Sequence, residues 1–468
     1  MAGLPVKVAT ARLVGAAARR SGRGGGTSLP GKVLIRLDPH AIGALAARLP
    51  AGSAVISATN GKTTTAAMVA AVLTGAGISL VHNASGANMA GGIASTLLEA
   101  SRRRGMSGEL GLFEVDEFWL GQVVAELAPR ALLLANLFRD QLDRYGELDT
   151  IADRWAAVVA AQAGRARLVL NADDPLIADL GRGRPGVSYF GVEDPEMALG
   201  AMAHAADSTH CRRCGSPYAY SAVYLGHLGH YRCPRCGNER PRPDVRASEV
   251  TLQGTRGAAF TLHSPTGSTR VEMALPGLYN VYNALAAAAL CLELGASLEQ
   301  IRHGLAATAA AFGRAEHVAV GDVDLQLLLI KNPAGANEVL RTLALEPGEI
   351  DLLGVLNDRI ADGRDVSWIW DADWELLAGR LASATCSGTR AAELALRLKY
   401  AGVPAERITM LPALGDALDH ALAVARPGGR GDGRPQLYAV PTYTAMLALR
   451  AELTARGHVE AYWQEAVA

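Results

Sequence analysis

A lysine preceded by glycine and followed by three threonines occupies the run Ala58-Thr59-Asn60-Gly61-Lys62-Thr63-Thr64-Thr65. A β-prone segment, Ser53 to Ser57, comes before it and a helix-forming one, Ala66 to Leu73, after it. Strand, tight turn and helix N-terminus in that order make a phosphate cradle. Backbone N–H groups and the positive end of the helix dipole face an oligophosphate, the Lys62 ammonium reaches its β and γ groups, and the Thr63 hydroxyl can ligate Mg2+. Ile56 stands where the usual phosphate loop has a glycine five residues before Gly61. An ordinary βα turn is therefore the alternative until the surroundings are read.

Three clusters supply those surroundings: Glu114-Val115-Asp116-Glu117, Asn136 to Asp143, and Asn171-Ala172-Asp173-Asp174-Pro175. Each follows an apolar run that reads as a strand, so each falls at a strand's carboxyl end, where ligands bind in α/β sheets. Mg2+ takes one or two carboxylates together with phosphate oxygens. Taken singly, Asp173 or Asp174 also reads as a helix cap, and Asp143 with Glu147 as a solvated loop. Further along, Asn280 and Asn283 open an Ala-rich helix after Pro276-Gly277. Two amides so placed can bond a base such as adenine, or Asn280 can cap the helix. Lys331-Asn332-Pro333 ends a later strand, and Asn357 to Trp374 is a polar loop bearing tryptophans.

A different chemistry is written between residues 204 and 247. Cys211-Arg212-Arg213-Cys214 and Cys233-Pro234-Arg235-Cys236 are eighteen residues apart, and each pair is followed by glycine, Gly215 or Gly237. Four thiolates at this spacing close a tetrahedral Zn2+ site with no open position, which makes the metal structural. Tyr218, Tyr220, Tyr224 and Tyr231 suit a small β-ribbon around it. His204, His210, His227 and His230 are expected at the surface and not as ligands.

The elements that must position these groups alternate. Strands are expected at Lys32–Leu37, before the phosphate loop, and at Ile78–His82, Leu110–Val115, Ala131–Leu134 and Ala166–Leu170. Helices are expected near His40–Leu49, to about Thr74, at Ala90–Arg103 and at Ile151–Ala161. Alternation with apolar strands gives a mostly parallel sheet covered on both faces. After the cysteine pairs come strands near Ala258–Leu262 and Val271–Ala274. A junction at Phe312 to Glu316 precedes a second βα series with strands at Leu325–Ile330, Ile350–Leu356, Leu381–Thr385, Ile408–Leu411 and Leu437–Val440.

The 468 residues allow two or three domains, and 45 Lys and Arg against 46 Asp and Glu argue against nucleic-acid binding. Six cysteines, four of them in C-x-x-C pairs, fit a reducing compartment and a metal. The longest apolar run, Ala284 to Leu292, is too short to span a bilayer. Met1 to Arg20 reads as an amphipathic segment and not as a signal peptide. A cytoplasmic protein is expected.

Together the pieces resemble the Mur ligases, and most closely the MurT-like ligase subunits of lipid II isoglutaminyl synthases. The likeness runs from about Gly22 to the C-terminus. It is carried by Ala58 to Thr65, Asn83 to Met89, Glu114, Asp140-Gln141-Leu142-Asp143, Asn171 to Pro175, the four-cysteine ribbon, Pro276 to Asn283, Lys331 to Asn337 and Asp365-Val366-Ser367-Trp368-Ile369-Trp370-Asp371. It implies an α/β fold with a central ATP-binding domain, residues 1–317, holding a zinc ribbon insert at about 204–247. A Rossmann-like α/β C-terminal domain, 318–468, would follow. With the phosphate loop so near the start, no UDP-binding N-terminal domain is expected.

The activity implied is ATP-dependent amidation of the α-carboxylate of D-glutamate in lipid II, through an acyl phosphate, at the inner face of the cytoplasmic membrane. Thr59, Asn60, Gly61, Lys62, Thr63 and Thr64 would hold the oligophosphate, and Thr63 with Glu114 would hold Mg2+. Lys62 and Lys331 would offset the charge of the transferring phosphoryl group. Asn280 and Asn283 would contact the base, and Arg314 the phosphates or ribose. A GatD-like glutaminase partner would supply ammonia, since Cys291 and Cys386 lie in apolar segments without a base beside them. Asp365 would orient the partner's catalytic His, with Asp371 and Asp358 as second and third choices; capping the following helix is the alternative role for Asp365. Two features depart from the wider family. Asp140-Gln141 replaces an Asp-His pair, and no lysine lies between Lys62 and Lys331 to bridge a second Mg2+. The rival readings are another ATP-dependent carboxylate–amine ligase, of folylpolyglutamate type, and a non-enzymatic zinc-ribbon adaptor.

Overall fold

Strands buried along their whole length need cover on both faces, and β1 (Ser53–Ser57), the strand feeding the phosphate loop, is buried at every position. The structure, a computed structural model, describes residues 3–20, 28–84, 86–140, 148–162, 164–202, 206–308, 314–427 and 433–460. The first sheet adds β2 (Leu80–His82), β3 (Leu110–Glu114), β4 (Ala131–Leu134), β5 (Arg167–Asn171) and β6 (Val187–Val192). After a hairpin, β7 (Ala219–Leu225) and β8 (Leu228–Arg232), it resumes with β9 (Val245–Leu252), β10 (Ala258–Ser264) and β11 (Gly267–Met273). Its order is β11-β10-β9-β6-β5-β4-β1-β3-β2. Pairing is parallel from β2 to β9 and antiparallel beyond. Because β1 lies between β3 and β4, the loops leaving all three strands emerge side by side, at the position where α/β sheets bind ligands.

Helices Lys62–Gly75 and Leu278–Glu293 cover one face of this sheet, in a core that extends over β9, β10 and β11. Helices Leu29–Leu37, Ala90–Ala100, Leu120–Leu127 and Leu148–Ala161 cover the other. A second sheet follows, built from β12 (Arg314–Val320), β13 (Val323–Leu328), β14 (Ile350–Val355), β15 (Leu381–Ser387), β16 (Ile408–Met410) and β17 (Gln436–Pro441). Its order is β12-β13-β17-β14-β15-β16; β12 runs antiparallel and the rest are parallel.

Two sequence expectations are corrected. Lys32–Leu37 is not a strand but the body of helix Leu29–Leu37, which has Pro30 in its first turn and packs on helix Ala90–Ala100. Leu34 is fully buried, and the Gly31 N–H donates to Ser95 Oγ at 2.8 Å. Val33 and Ile35 favour β-structure, but close packing of two helices outweighs that local preference. The second correction is His227, expected at the surface and found with no exposure, its ring 4.8 Å from that of Phe138. His204 lies outside the described residues. Strands β6, β9 and β12 had no counterpart in the sequence reading. The tyrosine-rich stretch does form a two-stranded antiparallel ribbon, β7 with β8.

Candidate active site

Gly61 adopts φ +84° at the N-terminus of helix Lys62–Gly75, a conformation that favours glycine. A Cβ there would come within 2.0 Å of Asn283 Oδ1, so the helix Leu278–Glu293 closes directly against the cradle. The loop after β4 clamps it from the other side. Asn60 N–H donates to Asn136 Oδ1 at 2.9 Å, and Asn136 Nδ2 donates back to the Asn60 carbonyl at 3.0 Å. Thr59 N–H donates to the Asn136 carbonyl at 3.1 Å, and its hydroxyl accepts from Phe138 N–H, also at 3.1 Å. Asn136 carried no assigned role in the sequence reading; its position at a strand end beside the phosphate loop was the available signal.

Lys62 is buried, and its ammonium donates to Glu117 Oε2 at 2.8 Å and to the Ala58 carbonyl. Burial alone would lower its pKa. The charges of Glu117, Glu114 and Asp116 outweigh that and hold the pKa above the ordinary lysine value. Burial raises Glu117 in turn, but Lys62 and Lys331 bring it below the ordinary carboxylate value. The sequence reading chose Glu114 from this cluster; the structure sets Glu117 against Lys62. Glu114, at the end of β3 opposite Ile56, accepts from Asn88 Nδ2 at 3.2 Å, and its backbone is clamped by the Asn83 amide at 2.9 and 3.0 Å. Thr63 sits half-buried in the first helical turn, and Thr64 is buried.

The second sheet completes the site. Lys331, following β13, donates to the Thr59 carbonyl at 3.0 Å and to Asp140 Oδ2 at 2.6 Å. Asn332 caps helix Pro333–Ala344 through Gly335 N–H at 2.8 Å and exchanges amide hydrogen bonds with Asn60 at 3.0 and 3.3 Å. A cavity of about 120 Å3 lies between the two halves. Its polar rim carries Asn60, Thr64, Asn136 and Asn283, and its apolar walls include Phe138, Tyr279, Leu328 and Val339. Glu338, buried and paired with Arg341 at 2.6 Å, also lines it; burial raises its pKa despite Arg341.

Asn280 is placed differently from Asn283. Its Nδ2 donates to the Pro276 carbonyl at 2.7 Å, its Oδ1 accepts from Asn283 at 3.0 Å, and Gly277, not Asn280, caps the helix. The Arg314 side chain and the Gln141-Leu142-Asp143 run lie outside the described residues. Asp174 caps helix Pro175–Leu180, while Asp173 is engaged by Arg240 and the Tyr282 hydroxyl, both at 2.6 Å.

A second, polar cleft adjoins Lys331, lined among others by Arg139, Asp140, Asp362, Asp365 and Asp371. Asp365 is exposed and accepts from Ser367 N–H at 2.8 Å, forming a turn before the 3-10 segment Ser367–Asp371. Arg139 spans the cleft between Asp207 and Asp371, the latter at 3.6 Å. Asp358 is tied to Arg390 at 2.9 Å. Trp368 is half-buried and Trp370 exposed; the fully buried tryptophan of this loop is Trp374.

Away from these clefts, the thiols of Cys211, Cys214, Cys233 and Cys236 lie within 4.8 Å of one another. Edges of 3.5 Å (Cys211 to Cys236) and 3.4 Å (Cys214 to Cys233) are near the ~3.8 Å that sulfurs 2.3 Å from Zn2+ require. Burial opposes ionisation of Cys211, but the Arg213 N–H, the Tyr218 hydroxyl and neighbouring side chains bring its thiol down to about 6. The donor set fits Zn2+.

A Gly-Lys-Thr turn after an interior strand of a mostly parallel sheet, met by a lysine from a second α/β sheet, is the layout expected of a ligase of the Mur type. Residues 56–291 match the Mur ligase middle domain and residues 329–446 the MurT ligase C-terminal domain. The MurT subunit of lipid II isoglutaminyl synthase (glutamine-hydrolyzing) from Streptococcus pneumoniae is 34% identical, over 92% of this chain and 93% of its own. Its Staphylococcus aureus counterpart is 34% identical over 84% and 87%. This chain belongs to the MurT family. The fold is shared with a pseudomurein peptide ligase type C from Methanothermus fervidus, with a TM-score of 0.64, 21% identity, and 86% and 78% of the two chains covered.

Proposed function

We propose that this chain is the ligase subunit that amidates the α-carboxylate of D-glutamate in lipid II, using ATP and ammonia from a GatD-type glutaminase subunit. A carboxylate is a poor electrophile. Attack of its oxygen on the γ-phosphate of ATP forms an acyl phosphate and releases ADP; ammonia then adds at the acyl carbon, expelling phosphate and losing a proton to give the amide. The observation that carries this reading is Lys331, which reaches from the second sheet to the Thr59 carbonyl, 3.0 Å away, and so joins the phosphate cradle to the polar cleft. Lys62 and Lys331 then flank the position of the transferring phosphoryl group and offset its charge. Thr63 and Glu114 are the residues that would hold Mg2+, which screens the phosphate oxygens when bound. Gly61, Asn60 and Thr64 would hold the oligophosphate by their backbone and hydroxyl groups, and Asn283, which lines the same cavity, would contact the base.

Two features support an external ammonia source. Burial pushes the Cys386 thiol up to about 12 and raises Cys291 further, so neither is a thiolate at neutral pH. The exposed Asp365 lies on the second domain and lines the polar cleft beside Lys331, where a partner could share it. Among the described residues no helix is long and apolar enough to cross a membrane. On this reading the enzyme acts from the cytoplasmic side on a lipid-linked substrate at the inner membrane face, and the four-cysteine site would hold Zn2+.

The test is amidation of lipid II by the purified chain with ATP and ammonium chloride, and then with glutamine after adding the glutaminase. Lys331→Ala should lower the ammonium-driven rate by on the order of 10²–10³. A folded Lys331→Ala variant of near-normal rate, or glutamine hydrolysis by this chain alone, would overturn the reading.

A further inference from the structure

We propose that the tip of the inserted ribbon, Leu225-Gly226-His227-Leu228, is a wall of the nucleotide pocket, so that the four-cysteine site governs how tightly and how selectively the base is held. The inference rests on the reading of the 120 Å3 cavity as the ATP site.

Leu225 and Leu228 line that cavity together with Tyr279, Tyr282 and Leu328, and with Asn60 and Thr64 of the phosphate loop. They are 5% and 2% exposed and belong to the core of the first sheet, so the ribbon's tip is built into the domain that carries the phosphate cradle. Its shape is fixed at Gly226. There φ is +58°, and a Cβ would come within 2.9 Å of the Phe138 ring. His227 packs on that ring and places its Nε2 3.5 Å from Asp174, the cap of helix Pro175–Leu180. Phe138 in turn donates its N–H to the Thr59 hydroxyl, so only one residue separates the tip from the phosphate loop.

A second attachment comes from beyond the cysteines. Arg240, four residues past Cys236, pairs with Asp173 and Glu193 at 2.6 Å each. Asp173 accepts from the hydroxyl of Tyr282, another lining residue, and its carbonyl accepts from Gly229 N–H at 2.9 Å. The hairpin connects the two ends: β7 and β8 pair from Leu225 with Leu228 to Ala219 with Arg232, and Cys233 follows at once. A two-stranded hairpin by itself is marginal in water. The four thiolates close its open end, and with them released the strands fray towards the tip. Leu225 and Leu228 then no longer stand at fixed positions against the base.

The experiment is calorimetric titration of the full-length, zinc-loaded chain with a non-hydrolysable ATP analogue and with the same analogue carrying a benzyl group on the adenine N6. Leu228→Ala should weaken the plain analogue by on the order of 10–100-fold, the worth of an aliphatic contact in such a pocket. The same variant should narrow or reverse the preference over the benzylated analogue, with zinc content unchanged. Cys236→Ser should weaken the plain analogue comparably while retaining the far-ultraviolet spectrum of the parent. Should Leu228→Ala not fold, Leu228→Met keeps the volume, and its flexible side chain should still admit the benzyl group. If the parent chain binds the plain analogue and every folded tip variant binds both analogues with the parent's affinities, the inference is overturned and the ATP site stands. If the parent chain binds neither, the assignment of the cavity itself falls, and the inference with it.

Discussion

Asp365→Asn removes a charge while leaving the local turn its acceptor. Asp365 Oδ1 takes the Ser367 N–H at 2.8 Å, and asparagine presents the same oxygen in the same place. The side chain is exposed, so no burial is lost. The Ser367 hydroxyl and N–H hold the Asp365 carboxyl below the ordinary carboxylate range, so the group is charged throughout neutral pH. Its small, solvent-screened contribution to stability is present above about pH 3.9 and is lost as pH falls through the lower folded value. The substitution should therefore change stability by less than about 1 kcal/mol. Removing the carboxylate that orients a catalytic histidine costs on the order of 10²–10⁴ in rate, equivalent to about 3–5 kcal/mol in the barrier. The two roles are well separated in magnitude. The assay compares melting temperature, co-purification with the glutaminase, ammonium-driven amidation and glutamine-driven amidation. The first three should match the parent, and the last should fall by at least about 100-fold. An unchanged glutamine-driven rate refutes the reasoning. Loss of the ammonium-driven rate as well would put Asp365 to work in this chain's own cleft, beside Lys331 and Asp140.

Lys62→Ala and Glu114→Ala should each lower ammonium-driven amidation by on the order of 10²–10³ in proteins with a parental circular-dichroism spectrum; near-normal rates would remove them from the mechanism. Cys211→Ser should reduce zinc content and soluble yield, because three thiolates cannot close the site. Metal analysis finding no zinc in the intact chain, prepared under reducing conditions without chelator, would refute the ribbon's metal. Glu117→Gln leaves the buried Lys62 ammonium without its nearest charge and should cost about 3 kcal/mol in denaturant unfolding at neutral pH. Glu117 has a lowered folded pKa, so its contribution is present above about pH 4.3 and fades as pH falls through the folded value. Lys62, with a raised value, keeps its contribution below about pH 10.4 and loses it only at higher pH. The difference between parent and variant should thus be steady around neutrality and shrink in acid; equal stabilities at pH 7 would contradict the pairing.

What the sequence by itself determined is what depends on neighbours along the chain. The order strand, turn, helix around Gly61, the two C-x-x-C pairs and the alternating strands and helices are local patterns, because backbone preference and periodicity act over a few residues. The resemblance carried by Ala58 to Thr65, Lys331 to Asn337 and the Asp365 to Asp371 element extended this to the family. Tertiary structure decided which groups meet. Glu117 holds Lys62 from 55 residues away, and Asn136 clamps Asn60 from 76. Lys331 reaches Asp140 across 191 residues. Each of those pairings follows from β1 lying between β3 and β4, and from how the second sheet sits over the first, an arrangement no local spacing encodes. The same reason explains the helix at Lys32–Leu37 and the burial of His227. The run that reads as strand and the histidine that reads as surface were placed by partners far away in sequence, Ser95 on the adjoining Gly31 N–H and the Phe138 ring on His227, because burial against distant partners outweighs the preference of a short segment.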